Sequence, residues 1–235
     1  MNYIELNGYS SSLIKGLLIS ELPPISKPLQ RNSVEEIDGR DGDIITKLGY
    51  SAYNKKMEIG CYGDYNIDDI IQYFDSEGTV VFSNEPDKYY RYVILQAIDF
   101  ERLCRFKKAS VVFHVQPFKF SAVDISQTYT VQGSETSFEI TNRGNVISRP
   151  VITVYGSGNV SFSVNNDANV FSIAFGTDDH ITIDAETLNA YKGDTLKNRS
   201  VSCDYRKLYF KRGLNTLSWS GTVSKVEILK GSRWI

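Results

Sequence analysis

The chain has 235 residues, with 26 Lys and Arg against 28 Asp and Glu and a pI near 5.8. At roughly 150 residues per domain its length allows one large domain or two small ones, and a hydrophobic share of 41% excludes wholesale disorder. Residues 1–125 carry 14 basic and 18 acidic side chains and the remainder 12 and 10, so neither half has the basic excess of a nucleic-acid-binding domain.

Cys61, Cys104 and Cys203 are scattered and form no CxxC pair, which predicts buried free thiols in a reducing cytosol rather than a disulfide framework or a zinc site. The apolar stretch from Leu13 to Ile19 is interrupted by Lys15 and Gly16. It is expected to be neither a signal peptide nor a membrane anchor.

Aromatic residues make up 12% of the chain, with 15 Tyr and 12 Phe, a mixture that suits pleated, half-buried surfaces. Tyr3 to Leu6 reads as a short strand, and Leu17 to Leu22 as a second one stopped by Pro23 and Pro24. A charged stretch follows, in which Asp38-Gly39 and Asp41-Gly42 lie between the apolar positions Val34, Ile37, Ile44 and Ile45. Such steps signal a hairpin, expected over about residues 27–46. One helix is well marked at about 66–77, with Asn66 as its cap, Asp69 in the capping-box position, Ile67, Ile70, Ile71 and Phe74 on one face, and Gly78 beyond its end. Thr79 to Ser83, Tyr89 to Ile98 and Ala109 to Pro117 read as strands.

From about Gln127 the sequence turns to Ser, Thr, Gly and Asn and then to eight short alternating segments. These are Phe138 with Ile140, Val151 to Tyr155, Val160 to Val164, Phe171 to Phe175, Ile181 with Ile183, Leu208 with Phe210, Leu217 with Trp219, and Val226 with Ile228. The fold class is therefore mainly β. An α+β N-terminal domain over 1–126 precedes a C-terminal antiparallel β-sandwich of jelly-roll type over 127–229.

Few side chains invite chemistry. His114 and His180 have no second imidazole at ligand spacing, and both read as structural residues on or beside strands. Asp64, Asn66, Asp68 and Asp75 are spaced like a calcium loop but lack its glycine and its final glutamate, and a helix cap explains them better. Glu35, Glu36, Asp38, Asp41 and Asp43 could supply the two carboxylates of a glycosidase. Interleaved with Arg31, Arg40 and Lys47, they read better as a solvated or interfacial charge cluster. Trp219, Tyr155, Tyr191 and Tyr205 could form a sugar-binding platform, the basis of an alternative reading as a monomeric carbohydrate-binding module. Trp219 alternates with Leu217, however, which favours core packing. No GxSxG, P-loop, GxGxxG or HExxH occurs. No catalytic residue, cofactor site or metal site is expected.

Two stretches carry the longest ordered motifs of the chain. One is LPPISKPLQRNSVEEIDGRDGDI, where a proline-bearing strand leads through an extended arm to the turn Ile37-Asp38-Gly39-Arg40-Asp41-Gly42. The other runs from Asn142-Arg-Gly144-Asn145-Val-Ile-Ser148-Arg-Pro150 through VITVYGSGNVSFSVN, then Ile183-Asp184, to Leu208-Tyr-Phe-Lys-Arg-Gly213-Leu-Asn215-Thr-Leu-Ser-Trp219. Both resemble the siphophage distal tail protein (Dit) family, the second being similar to the lead-in and the closing hairpins of that family's galectin-like domain.

The resemblance implies a non-enzymatic structural protein of the virion, made in the bacterial host cytoplasm and placed at the tail tip or baseplate. Its N-terminal domains would close a hexameric ring that joins the tail tube protein to the tail-associated fibre or lysin protein and, in some phages, carries receptor-binding proteins. Neither sequence-specific nucleic-acid contact nor membrane insertion is implied. The hairpin would be the inter-subunit arm, with Arg31, Asp38, Arg40 and Asp41 at the oligomer interface. Residues 230–235 end in the apolar Trp234-Ile235, and this tip is expected to pack back on the N-terminal domain.

Overall fold

A computed structural model describes residues 2–235. Strand takes up 54% of the chain and helix 9%, so the mainly β class expected from the aromatic content holds. The chain divides into two compact units, one running to Ala122 and including Ile235, the other Val123–Trp234.

The first unit is built on a seven-strand antiparallel array. Its strands are β1 (Ile4–Leu6), β2 (Tyr9–Ser10), β3 (Leu17–Glu21), β6 (Tyr53–Cys61), β7 (Gly78–Phe82), β8 (Lys88–Ile94) and β9 (Lys108–Ser121), in the order β2-β1-β7-β8-β9-β6-β3. Between β3 and β6 the chain makes β4 (Gln30–Glu36) and β5 (Asp43–Tyr50), which pair only with each other. The central strand β9 alternates as a half-buried strand must: Ala109, Val111, Phe113 and Val115 are buried, while His114 on the opposite face meets Asn54 at 2.9 Å. Helix α1 (Ile67–Phe74) starts where expected, with the Asn66 side chain accepting from the backbone N–H of Asp68. It buries Ile70, Tyr73 and Phe74 against the sheet.

The sequence reading expects one helix here, and the structure has a second, α2 (Phe100–Phe106). Asp99 caps it by accepting from the N–H of Arg102 at 2.8 Å, and Leu103 is its one buried residue. The strand expected as far as Ile98 therefore stops at Ile94.

The second unit contains β10 (Gln127–Thr130), β11 (Ser137–Asn142), β12 (Val151–Val164), β13 (Asp167–Ala174), β14 (His180–Asp184), β15 (Asn189–Lys192), β16 (Thr195–Leu196), β17 (Val201–Cys203) and β18 (Gly213–Leu229). The two long strands β12 and β18 pair along their length and bend together, with shifts in register between Tyr155 and Ser161. The first half of β12 takes β14 as its other neighbour and the second half takes β13. Likewise β18 pairs with β11 through its first half and with β10 through its second. One sheet thus curls into two faces, and their inward rows, including Ile152, Val154, Phe162, Ile181, Leu217, Trp219 and Ile228, share a single core.

The bend needs glycine. Gly221 sits at φ +100°, and a Cβ there would stand 2.5 Å from the Asn159 carbonyl oxygen, inside any real contact. Replacing it with alanine is expected to destabilise this unit by roughly 2–4 kcal/mol, measurable by denaturant unfolding. A change below half a kcal/mol would mean that the bend tolerates a side chain.

Two sequence expectations are corrected. Leu208 and Phe210 are fully buried but lie in a loop, tied by reciprocal backbone hydrogen bonds between Phe210 and Ser148. Of the three free cysteines only Cys61 is buried, while Cys104 and Cys203 are partly exposed.

Candidate functional site

The feature that stands out is the hairpin β4–β5. Val34 faces Ile45 across it, Ser33 faces Thr46, and Glu36 faces Asp43. No residue of either strand is buried. Val34 is 57% exposed and Ile45 62%. An isolated two-stranded hairpin is marginal in water, and a long exposed edge carrying apolar side chains is a template for pairing with another chain.

Its charges are equally unused. Glu35, Glu36, Asp38, Asp41 and Asp43 gather near the tip, and among the described residues none of them is in an ion pair. The turn between the strands is held by its backbone, where Arg40 N–H donates to the Ile37 carbonyl at 3.1 Å. Asp38, Arg40 and Asp41 lie in this turn and Arg31 near the base of β4, all four exposed. The hairpin spans Gln30 to Tyr50, longer at its C-terminal side than the expected 27–46.

If the hairpin is loose at its tip, its root is not. Prolines cannot donate to a ladder, so the carbonyls of the segment leaving β3 are held by side chains instead. Asn84 Nδ2 donates to the Pro23 carbonyl at 3.0 Å, Lys55 Nζ to that of Pro24 at 2.8 Å, and the Tyr53 hydroxyl to that of Ser26 at 3.4 Å. At the other side of the base Ser51 N–H donates to the Leu29 carbonyl, and Tyr50 meets Phe118 edge-on.

Lys55 occupies an inward position of β6 where the alternation calls for an apolar residue, and it is only 3% exposed. Its ammonium lies over the rings of Tyr90, Phe82 and Tyr53, an arrangement that compensates part of its lost hydration. Glu85, which pairs with Lys119 and accepts from the Tyr90 hydroxyl at 2.6 Å, supplies the nearby negative charge.

Burial outweighs Glu85 and holds the Lys55 ammonium down to about 8. A lysine whose folded pKa lies below its unfolded one binds fewer protons when folded, so this group lowers stability below about pH 8 and the penalty fades as pH rises. Thermal stability is accordingly expected to rise from pH 8 to about 9. Above that range burial of the Cys203 thiol, pushed up to about 12, acts in the opposite direction. In Lys55→Met the rise should disappear; a wild-type profile that is flat or falling over this interval would contradict the assignment.

The second unit offers less. Trp219 is 7% exposed and packs tilted against Phe138 and Phe162, and Tyr205 packs on the same core. Tyr155 points the other way, stacked on His180 at 5.0 Å with the Lys225 ammonium over its ring. Trp219 and Tyr155 therefore form no common platform. His180 Nδ1 meets Asp179, and Asp178 and Asp179 are paired with Lys192 and Lys197. Hydrogen bonding to Lys192 pulls the Asp179 carboxyl down to about 2. These are satisfied surface networks. Among the described residues no three His, Cys, Asp or Glu are grouped to hold a metal ion, and no helix is long and apolar enough to cross a membrane.

Comparison with known proteins decides what kind of scaffold carries this arm. Residues 9–115, which include the hairpin, match the family described as phage tail protein RIFT-related domain. The match takes in most of the N-terminal unit. Over its whole length the chain shares its fold with the Dit (gp 19.1) protein of phage SPP1, described as a paradigm of hub adsorption apparatus in Gram-positive-infecting phages. That match has a TM-score of 0.70 at 16% identity and covers 100% of both chains. Two chains from the baseplate of phage p2, in its activated conformation with Ca or with Sr, align at a TM-score of 0.53 with 10% and 12% identity. Each alignment covers 97% of this chain, and 97% and 96% of the respective p2 chains. No curated protein matches by sequence. The Dit-like resemblance read from the hairpin and the C-terminal motifs is thus the one found, since residues 9–115 match a phage tail domain and the whole chain shares the fold of a Dit protein.

Proposed function

We propose that this Dit-like protein is a hub subunit of the virion tail tip, without enzymatic activity. Six copies close into a ring that joins the tail tube protein to the tail-associated fibre or lysin protein and carries the receptor-binding apparatus where a phage has one. The observation that carries this reading is the hairpin β4–β5, whose Val34 and Ile45 are exposed and whose tip carboxylates are in no ion pair among the described residues, on a chain that shares the fold of a hub protein from end to end.

A ring needs a heterologous contact, one surface of each copy seated on a different surface of the next, and an extended strand pair is suited to supply one half of it. Each fully buried Val or Ile side chain contributes about 1.5–3 kcal/mol, while association itself costs about 4–15 kcal/mol. Val34 and Ile45 alone are therefore too little. Ile37, Leu48 and Leu29, all exposed, must be covered too, with the charges of the arm paired. Arg31, Asp38, Arg40 and Asp41 are assigned to that interface. Reversing the charge in Arg40→Glu should raise the protein concentration needed for assembly by roughly tenfold, about 1.4 kcal/mol; unchanged assembly would remove Arg40 from the interface.

The reading is tested by light scattering coupled to size exclusion, with negative-stain images of the main peak. A particle of six times 26.5 kDa with a central hole is expected. A chain that remains a monomer both alone and when mixed with its tail tube protein would overturn it.

A further inference from the structure

The acidic tip lacks a seat, and the same unit carries a surface of matching character. At the C-terminal end of α2, Arg102, Arg105, Lys107 and Lys108 are all exposed around Phe106, which is 72% exposed. All but Lys107 border an open groove of about 580 Å³, lined by Asp99, Glu101, Arg102, Arg105, Phe106 and Lys108. Arg105 is paired with Glu101 one turn earlier, in an exposed contact of small worth. Lys107 donates to the Tyr65 hydroxyl and keeps two further N–H donors. Among the described residues Arg102 and Lys108 have no hydrogen-bonded side-chain partner or ion pair. The tip, from Glu35 to Asp43, offers five carboxylates against the single guanidinium of Arg40, with Ile37 exposed beside them.

We propose that the tip of β4–β5 of one copy seats on the basic end of α2 of the next copy, with its carboxylates against Arg102, Arg105, Lys107 and Lys108 and Ile37 against Phe106. This rests on the reading of the hairpin as the inter-copy arm and names its acceptor. Opposed charge fields of this kind fix register and orientation more than they add affinity, which is what closing a ring requires. An exposed aromatic with charged side chains beside it in the same groove supplies the apolar centre and polar rim of a contact patch.

The test is zero-length carbodiimide cross-linking of the full chain, mixed from isotopically light and heavy protein so that joined peptides from two copies are recognised by mass. Light scattering is recorded on the same sample. The expected product joins the tip segment, through Glu36, Asp38, Asp41 or Asp43, to Lys107 or Lys108 of another copy. In Arg102→Glu/Arg105→Glu, which keeps both lysines, its yield should fall at least tenfold. Intermolecular products that join the tip to the other exposed basic stretch, at Lys207 or Lys211, would overturn the proposal, and so would the absence of any intermolecular product from the tip. If the sample is then still oligomeric, only the seat is wrong; if it is monomeric, the arm reading fails with it.

Discussion

Replacing residues 31–49 with an Asn-Gly turn is expected to abolish self-association while leaving the rest of the protein as stable as before. Gln30 and Tyr50 are cross-strand partners, so a two-residue turn can join them without strain. Because neither strand of the hairpin has a buried residue, the removed segment takes no core with it, and unfolding should change by no more than about 0.5 kcal/mol. The groups that grip the root, Lys55, Asn84 and Tyr53, bind carbonyls of Pro23, Pro24 and Ser26, all outside the deleted stretch. Light scattering and thermal unfolding of the same preparation give both numbers. An assembly that survives the deletion would show that the ring is held by another surface. A loss of several kcal/mol would show that the hairpin belongs to the fold of its own copy.

The largest stability loss is expected from Phe162→Ala in the second unit. Phe162 is fully buried, stacked on Phe171 at 4.5 Å and tilted against Trp219 at 6.1 Å. It lies in the second half of β12, where that strand pairs with both β13 and β18. Truncating a buried phenylalanine costs about 3–5 kcal/mol, the transfer term and the cavity term together. At about 4–8 °C per kcal/mol for a unit of this size, the corresponding thermal transition should fall by more than about 10 °C. Calorimetry should show this fall in one transition with little change in the other, because Phe162 belongs to the second unit's own core. A shift under about 2 °C would mean that the aromatic stack is not where the unit's stability lies.

What the sequence shows and what it hides follow from the range of the interactions. The Asn66 cap and the Ile67, Ile70, Phe74 spacing are local and mark α1 directly. The cap of α2 was also present, in Asp99, but a seven-residue helix with a single buried side chain leaves no periodic pattern. Gly156, Gly158 and Gly221 read as turns between separate strands, whereas they bend β12 and β18 within continuous ones. Leu208 and Phe210 alternate like a strand, yet their burial is fixed by a bridge to Ser148, far away in sequence. Lys55 is the extreme case, since a lysine reads as outward-facing until Glu85 and the Pro24 carbonyl are seen beside it.

The arm itself was legible because its Asp-Gly steps and polar strands lie within one stretch of chain. Its proposed acceptor was not, since a contact between copies leaves no pattern within one. The buried Trp219 likewise appears in the alternation with Leu217, while the opposite orientation of Tyr155 comes only with the register of the curled sheet.

The central claim is that β4–β5 is the element by which one copy holds the next. Electron cryomicroscopy of the assembled particle tests it most directly. The account predicts a ring in which density for residues 30–50 of every copy lies on its neighbour, with Val34 and Ile45 covered. A ring whose hairpins project freely into solvent, touching no neighbouring copy, would contradict it.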